Sequence, residues 1–159
     1  MERPQTPDEL VILRAAPQHA DELTQTAITA KRYWGYPEHW IEAWLPLLTI
    51  TPEFIEAHEV YQAVQAGVTL GFIALSFQAQ TAAIEHLWVL PEAMGKGVGR
   101  ALFQHAVMRA RSLGARRLEV ESDPNAEGFY QKMGARRCGE RLTGVLGETR
   151  SLPLLYMDL

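Results

Sequence analysis

Cysteine is almost missing from this chain. Cys138 is the only one in 159 residues, so no disulfide can close within it, which fits a reducing compartment. Long apolar runs are missing too: nothing approaches the roughly 20 residues a membrane-spanning helix needs. Nor is there an excess of positive charge. Fifteen Lys and Arg stand against 19 Asp and Glu, a formal net charge of −4. That balance argues against nucleic acid as an obligate partner, because phosphate backbones are held by clustered cations. The first ten residues carry Pro4 and Pro7 and show neither the apolar centre of a signal peptide nor a basic amphipathic pattern. The expectation is a cytoplasmic protein with no membrane or nucleic-acid partner. Residues 1–9 read as a flexible tail on a single domain spanning 1–159, without repeats or low-complexity stretches.

What is present is globular: 47% hydrophobic and 21% charged residues, enough apolar material for one core. Val11–Arg14 reads as a strand. A helix follows from His19 to about Lys31, with Leu23, Ala27 and Ile28 at helical spacing. After an aromatic turn, Tyr33-Trp34-Gly35-Tyr36-Pro37, Trp40, Ile41, Trp44 and Leu45 mark a second helix, which Pro46 is expected to break or kink. Glu59–Ala66, Thr69–Phe77 and Ala82–Leu90 alternate as an antiparallel meander. Val98–Leu113 is a strong helix capped by Gly114. Arg117–Glu121 is a strand, Asn125–Met133 a short helix, and Arg136–Leu142 and Leu152–Leu159 a last strand pair. The strand–helix–strand unit from Ala82 to Glu121 implies a parallel pair. The fold class is α+β: one mixed sheet with helices on both faces.

Between the third meander strand and the strong helix lies Met94-Gly95-Lys96-Gly97-Val98-Gly99-Arg100. Three alternate glycines let the backbone approach a bulky anion. The free amides and dipole of a helix N-terminus favour its charge, and Lys96 and Arg100 add to it. A pyrophosphate is the natural guest. The Walker spacing is absent, and Arg100 stands where a dinucleotide fingerprint needs its third glycine. A glycine-rich cap without a ligand and a nucleotide-binding turn remain the alternatives from these residues alone.

The stretch Glu85-His86-Leu87-Trp88-Val89-Leu90-Pro91, followed by the Gly95–Leu102 segment, resembles the acyl-CoA motif of the GNAT superfamily of N-acyltransferases. Gly97 and Gly99 match its two small positions, and Met94 stands where Gln or Arg is usual. Asp123-Pro124-Asn125-Ala126-Glu127-Gly128-Phe129-Tyr130 is similar to a second family segment. The resemblance implies a mostly antiparallel sheet with one splayed parallel pair. It implies acetyl-CoA as co-substrate, gripped by the backbone of Leu87, Trp88 and Val89, by Gly95, Lys96, Gly97, Val98, Gly99 and Arg100 at the pyrophosphate, and by Asn125 and Tyr130. It also implies an amine acceptor, either a small molecule or a peptide, and allows a homodimer through the C-terminal strands.

N-acetyl transfer by direct attack needs a deprotonated amine, a stabilised oxyanion and a proton for the leaving thiolate. No metal and no covalent intermediate are required, so Cys138 reads as an ordinary strand residue. Tyr130 is the candidate acid. Glu85 and Glu119 are the leading candidates for the base, with Glu121 beside them. Strand alternation would place Glu85 on the face of Leu87, with His86 opposite as a structural residue. Trp34 and Tyr36, with Trp40 nearby, are candidates for the acceptor wall. A module of the same fold that binds an acyl-CoA without turning it over is the alternative function.

Overall fold

The computed structural model describes residues 8–159; residues 1–7 of the expected N-terminal tail lie outside the described residues. Among the described residues seven strands form one sheet: β1 (Val11–Arg14), β2 (Glu59–Gln65), β3 (Val68–Gln78), β4 (Thr81–Val89), β5 (Arg117–Glu121), β6 (Arg136–Val145) and β7 (Glu148–Asp158). Their order is β1-β2-β3-β4-β5-β7-β6. Every neighbouring pair is antiparallel except β4 and β5. Among the described residues five α-helices pack against the sheet: α1 (Ala20–Arg32), α2 (Glu38–Leu48), α3 (Pro52–Ala57), α4 (Val98–Ser112) and α5 (Glu127–Lys132).

Both faces of the central strands are buried, and alternation along β3 shows how. Ile73 and Leu75 enter a core with Leu102, Phe103 and Ala106 of α4. Phe72 and Ala74 enter a second core with Leu23 and Ala27 of α1, Ile41 of α2 and Ile55 of α3. A period of two, apolar on both faces, is what a strand covered on both sides requires. Gly71 lies where β3 packs tightly against β4 and α4. A Cβ there would stand 2.6 Å from the Trp88 carbonyl oxygen and 3.3 Å from Leu102 Cδ1.

Three local features depart from the sequence-based expectation. Pro46 sits inside α2, which continues to Leu48. Proline removes one helical hydrogen bond, to the carbonyl of Glu42, and here that residue is solvent-exposed, so the cost is reduced. The helix α3 has no counterpart in the periodicity because it is only six residues long; Thr51 caps it by accepting from the Phe54 amide at 3.0 Å, with Pro52 at its first position. The last strands are longer than expected and form a hairpin closed by Leu146 and Gly147, both at positive φ. That hairpin inserts β7 between β5 and β6.

The sheet also carries a bulge at the position that matters most. Ala74 pairs with His86 and Leu75 with Ile84, so Glu85 is an extra residue in β4. Ile84 and Leu87, three residues apart, therefore face the same core. Glu85 and His86 both face the α1–α3 side, and Glu85 reaches Ser76 there. The expected alternation, with Glu85 beside Leu87 and His86 opposite, is corrected by this bulge.

Candidate active site

The parallel ladder between β4 and β5 runs only from Thr81–Ile84 against Arg117–Val120. Beyond it β4 continues to Val89 while β5 stops at Glu121. The β5-facing backbone edge of Glu85–Val89 is left without a strand partner, and the two strands diverge around a cleft of about 650 Å³. Leu87, Trp88 and Val89 line one side and Val120 and Glu121 the other.

The α4 N-terminus closes one end of this cleft. Gly95 and Gly97 adopt φ of +76° and +84°, a region closed to most side chains. The first helical bond runs from the Ala101 amide to the Gly97 carbonyl, and no side chain caps the helix. The amides of Val98, Gly99 and Arg100 thus have no helical acceptor. A Cβ on Gly99 would lie 3.3 Å from Phe129 Cε2, so a glycine lets α5 seat against the turn. An extended amide-bearing arm fits the open β4 edge, and a pyrophosphate fits the free amides. The residues present therefore suit coenzyme A. Among the expected contacts, Lys96 stands exposed on the turn and does not line the cleft, whereas Gly95, Gly97, Val98, Gly99 and Arg100 do.

Tyr130 lines the cleft with its ring buried at 5% exposure. Its hydroxyl is not among the sealed-off polar atoms and makes no hydrogen bond among the described residues. Burial, aided by the nearby Asp123 carboxylate, pushes its phenol well above the usual tyrosine range, so it remains protonated through neutral pH. Glu85 also lines the cleft, with Ser76 Oγ donating to it at 2.6 Å. His86 lines the cleft as well. The Trp88 indole donates to His86 Nδ1 at 3.0 Å, which places the ring proton on Nε2. Burial brings its imidazole down to about 4, and it is neutral at physiological pH. With Nδ1 engaged and Nε2 already protonated, His86 is poorly placed to accept a proton. Glu119 is not brought to the cleft. It is held by Arg117 Nε at 2.9 Å on an exposed stretch of β5. Glu121 does line the cleft but is clamped by Arg141, whose Nε donates at 2.8 Å.

Beside these residues lies a largely buried polar cluster, of which Tyr36 and Asn125 are candidates from the sequence and Lys31, Asp123 and Arg150 are not. Lys31 Nζ donates to Asp123 Oδ2 at 2.6 Å, and Arg150 approaches the same oxygen at 3.8 Å. Tyr36 donates to Asp123 at 3.0 Å and accepts from Arg150 at 2.8 Å. Asn125 donates its side-chain amide to both Tyr36 and Asp123. The Lys31 ammonium lies 4.3 Å from the Trp44 ring centroid and 4.8 Å from that of Tyr36. Burial, with Asp123 alongside, pushes the Tyr36 phenol up to about 12. Trp34, Asp123 and Asn125 line the cleft, whereas Tyr36 does not and forms its backing. Asn125 has both amide hydrogens committed, which leaves its carbonyl oxygen for a ligand. Lys31 and Asp123 are 92 residues apart, so no local pattern announces the pair. The one local signal is Asp123 before Pro124, a helix-start signature.

Residues 22–135 match the acetyltransferase (GNAT) family. The chain belongs to that family. A streptothricin acetyltransferase from Streptomyces lavendulae is 41% identical over 78 residues, which make up 46% of this chain and 41% of that protein; the match thus spans less than half of this relative's length. A GCN5-related N-acetyltransferase from Rhodopseudomonas palustris superposes with a TM-score of 0.81 at 20% identity, over 99% of this chain and 100% of its own. The PaiA N-acetyltransferase from Thermoplasma acidophilum, solved with coenzyme A, gives 0.75 at 20% identity over 95% and 99%. The mixed sheet with one parallel pair is the GNAT fold, and acetyl-CoA is the donor this family uses. Among the described residues there is no cluster of His, Cys, Asp and Glu arranged to hold a metal ion, and no helix is long and apolar enough to cross a membrane.

Proposed function

We propose that this protein transfers the acetyl group of acetyl-CoA to a primary amine by direct attack, with Glu85 as base and Tyr130 as acid. The supporting observation is the opened β4–β5 gap, which runs from the free α4 amides to the Tyr130 hydroxyl and Glu85. Acetyl-CoA supplies the activated thioester carbonyl. Glu85, directly or through water, takes the proton an ammonium must shed before its lone pair can form the new C–N bond. Unpaired amides of β4 are available to the oxyanion. Tyr130 holds a proton for the sulfur as the C–S bond breaks. A phenol above its usual value is a weaker acid than a thiol of about 8.5. Tyr130 therefore acts chiefly as a hydrogen-bond donor to developing negative charge. The overall change converts ammonium and thioester to amide and thiol and releases one proton to solvent.

The acceptor we favour is a small cationic amine. The streptothricin acetyltransferase relative supports a small-molecule acceptor. Glu85, a cleft-wall carboxylate that makes no ion pair among the described residues, supports a cationic one. The reaction would take place in the cytoplasm, where a lone cysteine stays reduced. The test has two stages. Calorimetry with acetyl-CoA is expected to show one site per chain. Incubation with a panel of amines, streptothricin-type antibiotics included, is then expected to release free thiol in step with an acetylated product. Binding without any acetylated amine would favour the non-catalytic module, for which Met94 in place of Gln or Arg is the motivating departure.

A further inference from the structure

The bulge in β4 leaves a second polar group beside Glu85 that the proposed chemistry does not use. Glu85 and His86 are consecutive and face the same side of the sheet, so their Cα atoms stand about 3.8 Å apart. Both line the cleft. The rings of Phe54, Phe72 and Trp88 surround the imidazole of His86, with centroids 5.5, 6.0 and 6.5 Å away. Its Nδ1 accepts the Trp88 indole proton at 3.0 Å. Its Nε2 makes no hydrogen bond among the described residues, yet it is not sealed off as His105 Nε2 is. The cleft that the ring lines is the opening for that N–H.

The Trp88 pairing fixes what His86 can do. An indole N–H only donates, so Nδ1 is the acceptor and the ring proton sits on Nε2. Burial keeps the imidazole neutral at physiological pH. A neutral ring in that tautomer offers the cleft one donor and no charge. Glu85 offers an acceptor next to it. Ser76 Oγ holds Glu85 Oε1 at 2.6 Å, and Oε2 has no partner among the described residues. A carboxylate and a neutral N–H held side by side match a ligand that carries an ammonium and a neutral oxygen a few bonds apart.

We infer that His86 is a specificity-determining residue, donating its Nε2–H to a hydroxyl or carbonyl oxygen that the acceptor carries a few bonds from its reacting nitrogen. The inference rests on the acetyl-transfer reading of the cleft. It narrows the acceptor class to amino alcohols and to α- or β-aminoacyl amides. A plain alkylamine would strip water from the N–H and return nothing to it, and a site built to bond an oxygen rejects the analogue that lacks one. A carboxylate fits less well, because His86 brings no charge to offset it and Glu85 stands alongside. Trp88 acts through His86: it is a positioning residue that keeps the proton on the nitrogen facing the cleft.

Matched acceptors test this: ethanolamine against propylamine, and β-alaninamide against isopentylamine, each with acetyl-CoA. The proteins are the wild type, His86→Phe, His86→Gln and Trp88→Phe, with circular dichroism and thermal midpoints as the check on folding. His86→Phe keeps a ring and removes the donor, whereas His86→Gln restores an N–H. The ratio of kcat/KM within a pair is read for each protein, and comparing ratios between proteins cancels the amines' own reactivity. The wild-type ratio, oxygen-bearing over oxygen-free, is expected to exceed that of His86→Phe about tenfold, the scale of one hydrogen bond. His86→Gln is expected to recover part of the preference, and Trp88→Phe to lose part of it. Nitrogen NMR of the histidine ring is expected to show the Nε2–H tautomer in the wild type and a mixture of tautomers in Trp88→Phe. Equal ratios in the wild type and His86→Phe would overturn the inference. So would a wild-type His86 protonated on Nδ1, or acetylation of the oxygen-free amines alone. No acetylated amine at all would instead remove the acetyl-transfer reading, and this inference with it.

Discussion

Replacing Asp123 by Asn removes the negative charge from a cluster that holds two cations. The side chains of Lys31, Asp123 and Arg150 are 10%, 10% and 12% exposed, so water can replace little of what is lost. Without the carboxylate, Lys31 and Arg150 are left without a counter-charge beside an aromatic wall. Removing one partner of a buried pair costs about 3–5 kcal/mol. At about 2–4 °C per kcal/mol for a chain of this length, the midpoint should fall by roughly 10 °C. Lys31→Met in the Asp123→Asn background is expected to recover part of the loss, because it removes a buried ammonium from beside Trp44 and Tyr36. Thermal and urea unfolding of the wild type, both single variants and the double variant measure the coupling. A drop below about 2 °C for Asp123→Asn, or a double variant less stable than Asp123→Asn, would refute the reasoning. The pH dependence has a definite sign. Burial alone would raise the Asp123 carboxyl, but the Lys31 ammonium, the Asn125 amide and the Tyr36 hydroxyl together hold it below the ordinary carboxylate value. Its folded value is depressed, so its stabilisation is present above the unfolded value of about 3.9 and is lost as pH falls through the folded value. Lys31 is lowered too, first by burial and then by Arg150, with Asp123 opposing. The ammonium is destabilised by its depth and by a second cation, which is compatible with its pairing to Asp123.

Tyr130→Phe is expected to lower kcat about a hundredfold while acetyl-CoA affinity, measured by calorimetry, stays within about threefold; unchanged turnover would remove the acid role. Glu85→Gln should depress kcat/KM most at neutral pH and recover as pH rises toward the acceptor's own pKa. A pH-independent loss would mean that Glu85 positions substrate rather than moving a proton. Gly71→Ala should destabilise by about 1–3 kcal/mol through overpacking, because its Cβ meets the Trp88 carbonyl rather than a movable side-chain tip; a midpoint unchanged from wild type would contradict that reading.

The elements that periodicity governs were legible in advance. β5 runs over Arg117–Glu121 and α4 begins at Val98, as the apolar spacing requires. The glycine turn was legible because conformation, not packing, dictates Gly95 and Gly97. The bulge at Glu85 was not. It inserts one residue into an otherwise regular β4, and alternation rules carry no signal for an insertion paired across strands. That single residue turned Glu85 and His86 to one face and changed which groups share the cleft. Glu119 reads like Glu85 in sequence, but Arg117, two residues before it, holds it on an exposed stretch of β5. Lys31, Asp123 and Arg150 come from α1, the segment after β5, and β7. Only the folded sheet brings them together.

The central claim is that the gap between β4 and β5 seats acetyl-CoA and delivers its acetyl group to an amine. The most direct test is mass spectrometry of acceptor amines incubated with the protein and acetyl-CoA, beside a Tyr130→Phe control. The account predicts an N-acetylated product and free coenzyme A in equal amounts, with much slower formation in the control. Tight acetyl-CoA binding with no acetylated amine across a broad panel, or product formed equally fast by the control, would contradict it.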